Sequence, residues 1–437
     1  EIRVPASAEP GLHRGTLNVM TSEGIRSSLN VLLTVLPAVL PEQPNFTMEL
    51  VAPPTIAAMY RKDMLNRDDS MPVETRYDQL AREHRCSLAV LPYAQNGVYP
   101  APFMPRVSGK ALELKLDWSE WDRRFGVYLD GPASASHFIL PLFESWPIPF
   151  ENGYLCVNDE VMSESLRLPV YGGLSDEIHS CLNSDYWRSW RAAVQQIGAH
   201  FKDKGWTRTS AHVWLNNGPV SDYHGRCPPW SFRNPVFRDD LVALESYAQI
   251  TKSDTEAQWA PGTLTFRVSV PDGTALAGYG DELFDLLSVG DPNSFVWTDL
   301  RTRAATYGTT LWLQNDTIPL GPAPVWVDAT ALSFFLEGAD GWSIMETVGQ
   351  PDNWMKGLPQ CLLYPGVDAP VPSHRLKALR RAQQDIEMLI LLQKKMGWTR
   401  EQLGEFARKY LPGERGAYTP SADDLYALRY AVQELLK

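Results

Sequence analysis

From residue 45 onward, short apolar, β-branched or aromatic runs ending in polar residues alternate with stretches of helical spacing. Those runs predict strands over Phe46–Val51, Cys86–Leu91, His137–Phe143, His212–Asn216, Leu264–Val270, Ser294–Asp299, Thr309–Leu313 and Ala331–Leu336. Apolar positions three and four apart predict helices over Thr55–Met64, Glu74–Glu83, Tyr186–Lys204, Asp239–Thr251 and Glu282–Val289. Eight strands interleaved with helices define an α/β fold class, a (β/α)8 TIM barrel. The connections 92–136, 144–185 and 217–238 exceed the usual roughly 2–6 residues. Each follows a predicted strand, which assigns it to the C-terminal face, where barrel enzymes keep their chemistry.

The two ends of the chain follow other patterns. Gly15–Val19, the turn-like Ser22-Glu23-Gly24 and the apolar run Leu29–Leu36 predict a strand pair before the punctuation of Pro37, Pro41 and Pro44. Two strands do not stand alone in water, so the pair is a remnant of a β-domain or packs on the main body. At the other end, Ser373 caps a helix bearing Leu376, Leu379, Ile386 and Ile390. Thr399-Arg400-Glu401-Gln402 is a capping box opening a second helix, and Ser421-Ala422-Asp423-Asp424 opens a third. The run Arg375, Lys377, Arg380 and Arg381 reads as the solvated side of the first of these helices. The resulting division is 1–44 as β segment and linker, 45–371 as barrel and 372–437 as helical extension.

Composition narrows the partners. The 437 residues exceed what one hydrophobic core normally fills, which fits a large domain with appendages. With 40 basic against 52 acidic side chains the net charge is −12, which disfavours nucleic acid. No run approaches the roughly 20 apolar residues of a membrane span. The five cysteines are scattered without a CxxC, so they frame neither disulfides nor zinc. Asp222-Tyr223-His224 with Cys227 is a weak metal candidate, and no GxGxxG, P-loop or GxSxG motif is present, so no metal and no cofactor is expected. Glu1-Ile2-Arg3-Val4 is no signal peptide and suggests a processed or trimmed chain.

The unusual component is aromatic, with 15 Trp and 17 Tyr, residue types that stack on the flat apolar faces of sugar rings or fill cores. Polar residues at predicted strand ends supply the candidate chemistry: Glu49, Asn216-Asn217, Asp299, Asn315-Asp316 and Glu337. Two carboxylates across such a mouth are what glycosidic cleavage requires, and Asp299 with Glu337 form the favoured acid/base pair. In strand alternation Trp297 and Asp299 share a face. Asn216, Asn217, Arg267, Trp230, Trp297 and Trp342 complete the set as sugar contacts, whereas Trp118, Trp121, Trp187, Trp190 and Trp206 read as packing.

Three segments carry a family resemblance: Gly205-Trp206-Thr207 with the strand ending Leu215-Asn216-Asn217, then Trp118–Gly126 with Leu129-Asp130-Gly131, and Leu363-Tyr364-Pro365-Gly366 with Pro372–Glu387. Together, over roughly residues 12–395, the chain resembles the bacterial proteins of domain of unknown function 4091, relatives of glycoside hydrolase family 123. The resemblance implies a β-sandwich, here reduced to residues 1–40, ahead of the barrel, and an extracytoplasmic location. It also implies release of a β-linked N-acetylgalactosamine, with an adjacent Asp-Glu pair assisting the substrate's own acetamido group. In this chain Arg233 and Asn234, ahead of Pro235, stand where that pair would fall. Neither side chain has a proton to deliver at neutral pH. Open readings are a sugar-binding descendant, catalysis by other carboxylates such as Asp299 and Glu337, a deliberate substitution, or a shifted register in which Asp239-Asp240 or Asp222 acts. A glycan is the expected partner, and the leading alternative is an inactive glycan-binding or scaffold protein of an envelope assembly.

Overall fold

A computed structural model describes the chain apart from residues 1–3, 6, 23, 25, 55, 64–65, 94–100, 132–133, 150–183, 218–229, 237, 254–257, 272–275, 277, 291–293, 319, 321–323, 349–360, 368 and 415–416. Strands β1 (Gly11–Met20) and β2 (Arg26–Val35) pair antiparallel, Gly11 opposite Val35, as a ribbon ahead of the barrel. Every side chain of β1 is exposed, so the ribbon does not pack into the main body through that strand. The barrel strands are β3 (Thr47–Ala52), β4 (Ser87–Val90), β7 (His137–Ile139), β8 (Ser210–Trp214), β9 (Leu264–Val270), β10 (Leu286–Val289), β11 (Thr310–Asn315) and β12 (Gly341–Ile344). A small hairpin of β5 (Arg106–Ser108) and β6 (Lys115–Asp117) lies between β4 and β7 in the chain.

The eight strands form one parallel sheet in the order β4-β3-β12-β11-β10-β9-β8-β7. Its two edges approach each other, and Ser87 and Ser136 join hydroxyls at 2.9 Å where a further ladder would close the cylinder. The fold is therefore a (β/α)8 TIM barrel with a nearly closed sheet and a helical C-terminal end.

Two of the expected strands are helices. Ser294–Asp299 opens the helix Ser294–Tyr307, and Ala331–Leu336 closes the helix Pro324–Leu336. The sheet positions they were given belong to β10, inside the expected helix Glu282–Val289, and to β12. For the second, the cause is burial. The helix Pro324–Leu336 is covered on both sides, by the barrel and by the helix His374–Met396, so it shows no polar stripe. A continuous apolar run reads alike for a buried strand and a buried helix.

The C-terminal caps follow the sequence reading. Ser373 accepts from the Leu376 N–H, and Thr399 and Ser421 each form a reciprocal capping box. The helix His374–Met396 also holds the start of the barrel, because Glu387 accepts the backbone N–H groups of Asn45 and Phe46 and the Asn45 amide. Its basic run is not simply solvated. Arg375 is buried and donates to the carbonyls of Ile318 and Cys361, and Arg381 pairs with the buried Asp328.

Candidate functional site at the barrel mouth

Strand alternation sorts the barrel interior into layers. One layer holds Glu49, His137, His212, Arg267, Ser288, Trp312 and Ser343, as their mutual contacts show. Arg267 lies between the rings of Trp214 (3.7 Å) and Trp312 (4.9 Å) and donates to Glu49 at 2.7 Å, Ser288 at 3.0 Å and Ser343 at 3.1 Å. Burial opposes ionisation of Glu49, but Arg267 and His137 outweigh it and hold the carboxyl well below the usual range. Burial, followed by the charges of His137 and Arg267, drives the His212 ring well below its ordinary value. This charged layer is a plug. Arg267, expected as a sugar contact, is fully buried with all three guanidinium nitrogens engaged, and it supports the floor rather than facing the mouth.

Two residues further along the strands lie Val51, Ala89, Ile139, Trp214 and Met345, packed as a small apolar layer. Two more positions along β8 comes Asn216, buried, followed by the buried Asn217. Among the described residues neither the amide nitrogen nor the amide oxygen of Asn216 has a hydrogen-bond partner, nor has Oδ1 of Asn217. Buried polar atoms in that state mark a place where something polar belongs. Tyr93, three residues past β4, fixes this corner. Its hydroxyl donates to the Trp214 carbonyl and accepts from the Asn216 N–H, each at 2.8 Å, and its ring stacks on Phe143 at 4.6 Å.

Beside Asn217 sits Glu144, five residues past the end of β7 and fully buried. Asn217 Nδ2 donates to its Oε2, while Oε1 has no partner among the described residues. Burial pushes this carboxyl up to about 8, against the opposing hydrogen bonds from its own backbone and from Asn217. Glu144 is therefore protonated at neutral pH, with one oxygen uncommitted. The Tyr186 hydroxyl donates to the Glu144 carbonyl at 2.6 Å and bonds the Tyr247 hydroxyl at 2.8 Å, which ties this corner to two barrel helices.

The loop carrying Arg233 and Asn234 folds back over the end of β8. Phe232 and Arg233 donate backbone N–H groups to the Asn217 carbonyl at 2.9 and 3.0 Å. Asp240 accepts the Ser231 and Val236 N–H groups, so its carboxylate braces this loop. Arg233 reaches Asp316, just past β11, at 3.7 Å, while Asn234 is exposed. Trp230 is buried against Phe232, and Trp342 is buried with its indole N–H on Asn315 at 2.8 Å.

The structure does not bring Asp299 and Glu337 to this mouth. Asp299 is exposed on the helix Ser294–Tyr307, and Glu337 lies between the helix Pro324–Leu336 and the start of β12, toward the opposite end of the barrel. Trp297 and Asp299 do not share a face either: Trp297 is buried and donates to the Glu337 carbonyl at 2.8 Å, a packing contact below the barrel. Asp222, His224 and Cys227 lie outside the described residues. Among the described residues no three His, Cys, Asp or Glu side chains gather as metal ligands. Nor is any helix long and apolar enough to cross a membrane. The residue that sequence reasoning passed over is Glu144. It closes the apolar run predicted as His137–Phe143, so the rule that selected Asp299 would have found it.

No family model and no curated protein matches the chain. Among solved structures it is similar to a family 123 glycoside hydrolase from Clostridium perfringens, described for glycolipid glycan hydrolysis. The TM-score is 0.62 at 14% identity, over 100% of this chain and 76% of that one. The shared property is the fold, a (β/α)8 barrel.

Proposed function

We propose that the barrel mouth takes a glycan and that Glu144 is the proton donor of a glycosidic cleavage there. The observation that carries this reading is Glu144 itself, buried, its carboxyl pushed up to about 8 by that burial, and hydrogen-bonded by Asn217 through one oxygen while the other has no partner among the described residues. A glycosidic leaving oxygen needs such a group, and positioned acids of this kind contribute about 10²–10⁴ in rate. The uncommitted amide of Asn216 offers a donor and an acceptor to sugar hydroxyls. Arg233 and Asn234 stay outside the chemistry in this reading, with Arg233 at the rim. A second reading, binding without cleavage, is favoured by one observation: β8 ends in two amides rather than carboxylates.

The test is turnover and binding of a panel of aryl glycosides, N-acetylhexosaminides included. Catalysis by Glu144 predicts a rate that falls as pH rises through about 8, and a loss of about 100-fold or more in kcat/KM for Glu144→Gln. Binding of a saccharide without turnover selects the second reading. Turnover unchanged in Glu144→Gln removes the proposed role of Glu144.

A further inference from the structure

A groove separate from the mouth cluster lies at the rim, where the helices Arg67–Glu83 and Ser119–Leu129 begin. Each of these helices ends a few residues before a barrel strand, β4 and β7 respectively, so both start toward the C-terminal face of the barrel. The groove has a volume of about 430 Å³, room for one or two sugar rings. Its lining combines three features. Pro102, Met104 and Trp121 form an apolar floor, with Met104 and Trp121 buried. Arg67, Arg106, Arg123 and Arg124 bring four guanidinium groups to it, against Asp68, Asp117 and Glu120. The Nε1–H of Trp121, a residue 1% exposed, has no hydrogen-bond partner among the described residues.

The cations are held in different ways. Arg124 is buried and fixed by Glu74 at 2.5 Å, Arg123 pairs with Glu120 at 3.0 Å, and Arg67 pairs with Asp68 at 3.0 Å. Arg106 is exposed on β5 and its side chain forms no hydrogen bond or ion pair with the described residues, although its charge acts weakly on Asp117. The start of the helix Ser119–Leu129 is already met by a carboxylate, because Asp117 accepts the Ser119 N–H at 3.0 Å, so the free charged donors of the groove are those of Arg106. A planar fork of donors and an indole N–H suit an oxyanion, and the apolar floor suits the ring that carries it.

We propose that this groove binds the anionic group of an acidic saccharide, a sulfate or carboxylate held chiefly by Arg106, as an outlying part of the glycan site. It rests on the glycan reading of the mouth and adds the substrate class. The test is affinity of the full chain at low ionic strength for an O-sulfated disaccharide, its unsulfated counterpart and inorganic sulfate, with Arg106→Ala and Arg123→Gln alongside. The expected result is binding of the sulfated disaccharide at least about tenfold tighter than the unsulfated one, with that advantage lost in Arg106→Ala and reduced in Arg123→Gln. Equal affinity for the two disaccharides, or an advantage that survives Arg106→Ala, overturns the groove while leaving the glycan reading intact. Inorganic sulfate binding as tightly as the sulfated sugar shows a site for a free ion only and overturns the saccharide assignment. Binding of neither disaccharide removes both the groove and the reading it extends. Both arginines are exposed, so their loss leaves the fold in place, which a thermal melt checks.

Discussion

Replacing Glu144 by Gln isolates the buried acid from everything around it. An ordinary glutamate titrates at 4.5, whereas burial moves Glu144 to about 8. That difference corresponds to about 5 kcal/mol of disfavoured ionisation, at roughly 1.4 kcal/mol for each tenfold change in proton affinity. The folded value is raised, so the favourable contribution is fully present below the unfolded value. It is lost as pH rises through the window from 4.5 to 8, in which the folded chain keeps a proton that the unfolded chain releases. Gln keeps the shape and the acceptor for Asn217 but does not titrate. Between about pH 5 and pH 9 the wild type should therefore lose about 4 kcal/mol relative to Glu144→Gln. Urea unfolding of both proteins at the two pH values measures this, and comparing the two proteins cancels the other titrating groups. A stability difference that stays constant with pH would show Glu144 ionised in the folded state and would refute its role as a proton donor.

Two more substitutions probe what lies beneath the mouth. Arg267→Met leaves the Glu49 carboxylate buried without its cation and should cost about 3–5 kcal/mol in a denaturation experiment, partly recovered by adding Glu49→Gln. A change below about 1 kcal/mol would mean the plug is not a charged pair. Tyr93→Phe strands the Asn216 N–H and the Trp214 carbonyl, costs about 1–3 kcal/mol, and weakens glycan binding more than an equally destabilising change far from the mouth.

How far the sequence disclosed this molecule can be judged from particular segments. β3, β4, β7, β8, β9 and β11 were legible within a few residues, because each is a short apolar run with a polar end. β10 and β12, Leu286–Val289 and Gly341–Ile344, were missed, the first because it lies in the run Glu282–Val289 that reads with helical spacing. Their place was taken by the apolar halves of neighbouring helices. That substitution kept the barrel count right but gave Asp299 and Glu337 strand ends they do not have. Asn216 and Asn217 were legible because β8 was. Glu144 stood at the end of the run His137–Phe143 and was open to the same rule, but its raised carboxyl was not legible, because that comes from burial in the folded chain. Trp214, Trp230 and Trp342 are buried in the barrel wall and mouth rather than laid open as stacking surfaces.

The most direct measurement is the structure of the chain soaked with a saccharide it binds from the glycoside panel. The proposed function predicts a sugar ring over the end of β8, with hydroxyls about 2.7–3.2 Å from the Asn216 amide and the leaving oxygen at the same distance from Glu144 Oε1. A saccharide bound only elsewhere, with Asn216 and Glu144 untouched, would contradict it.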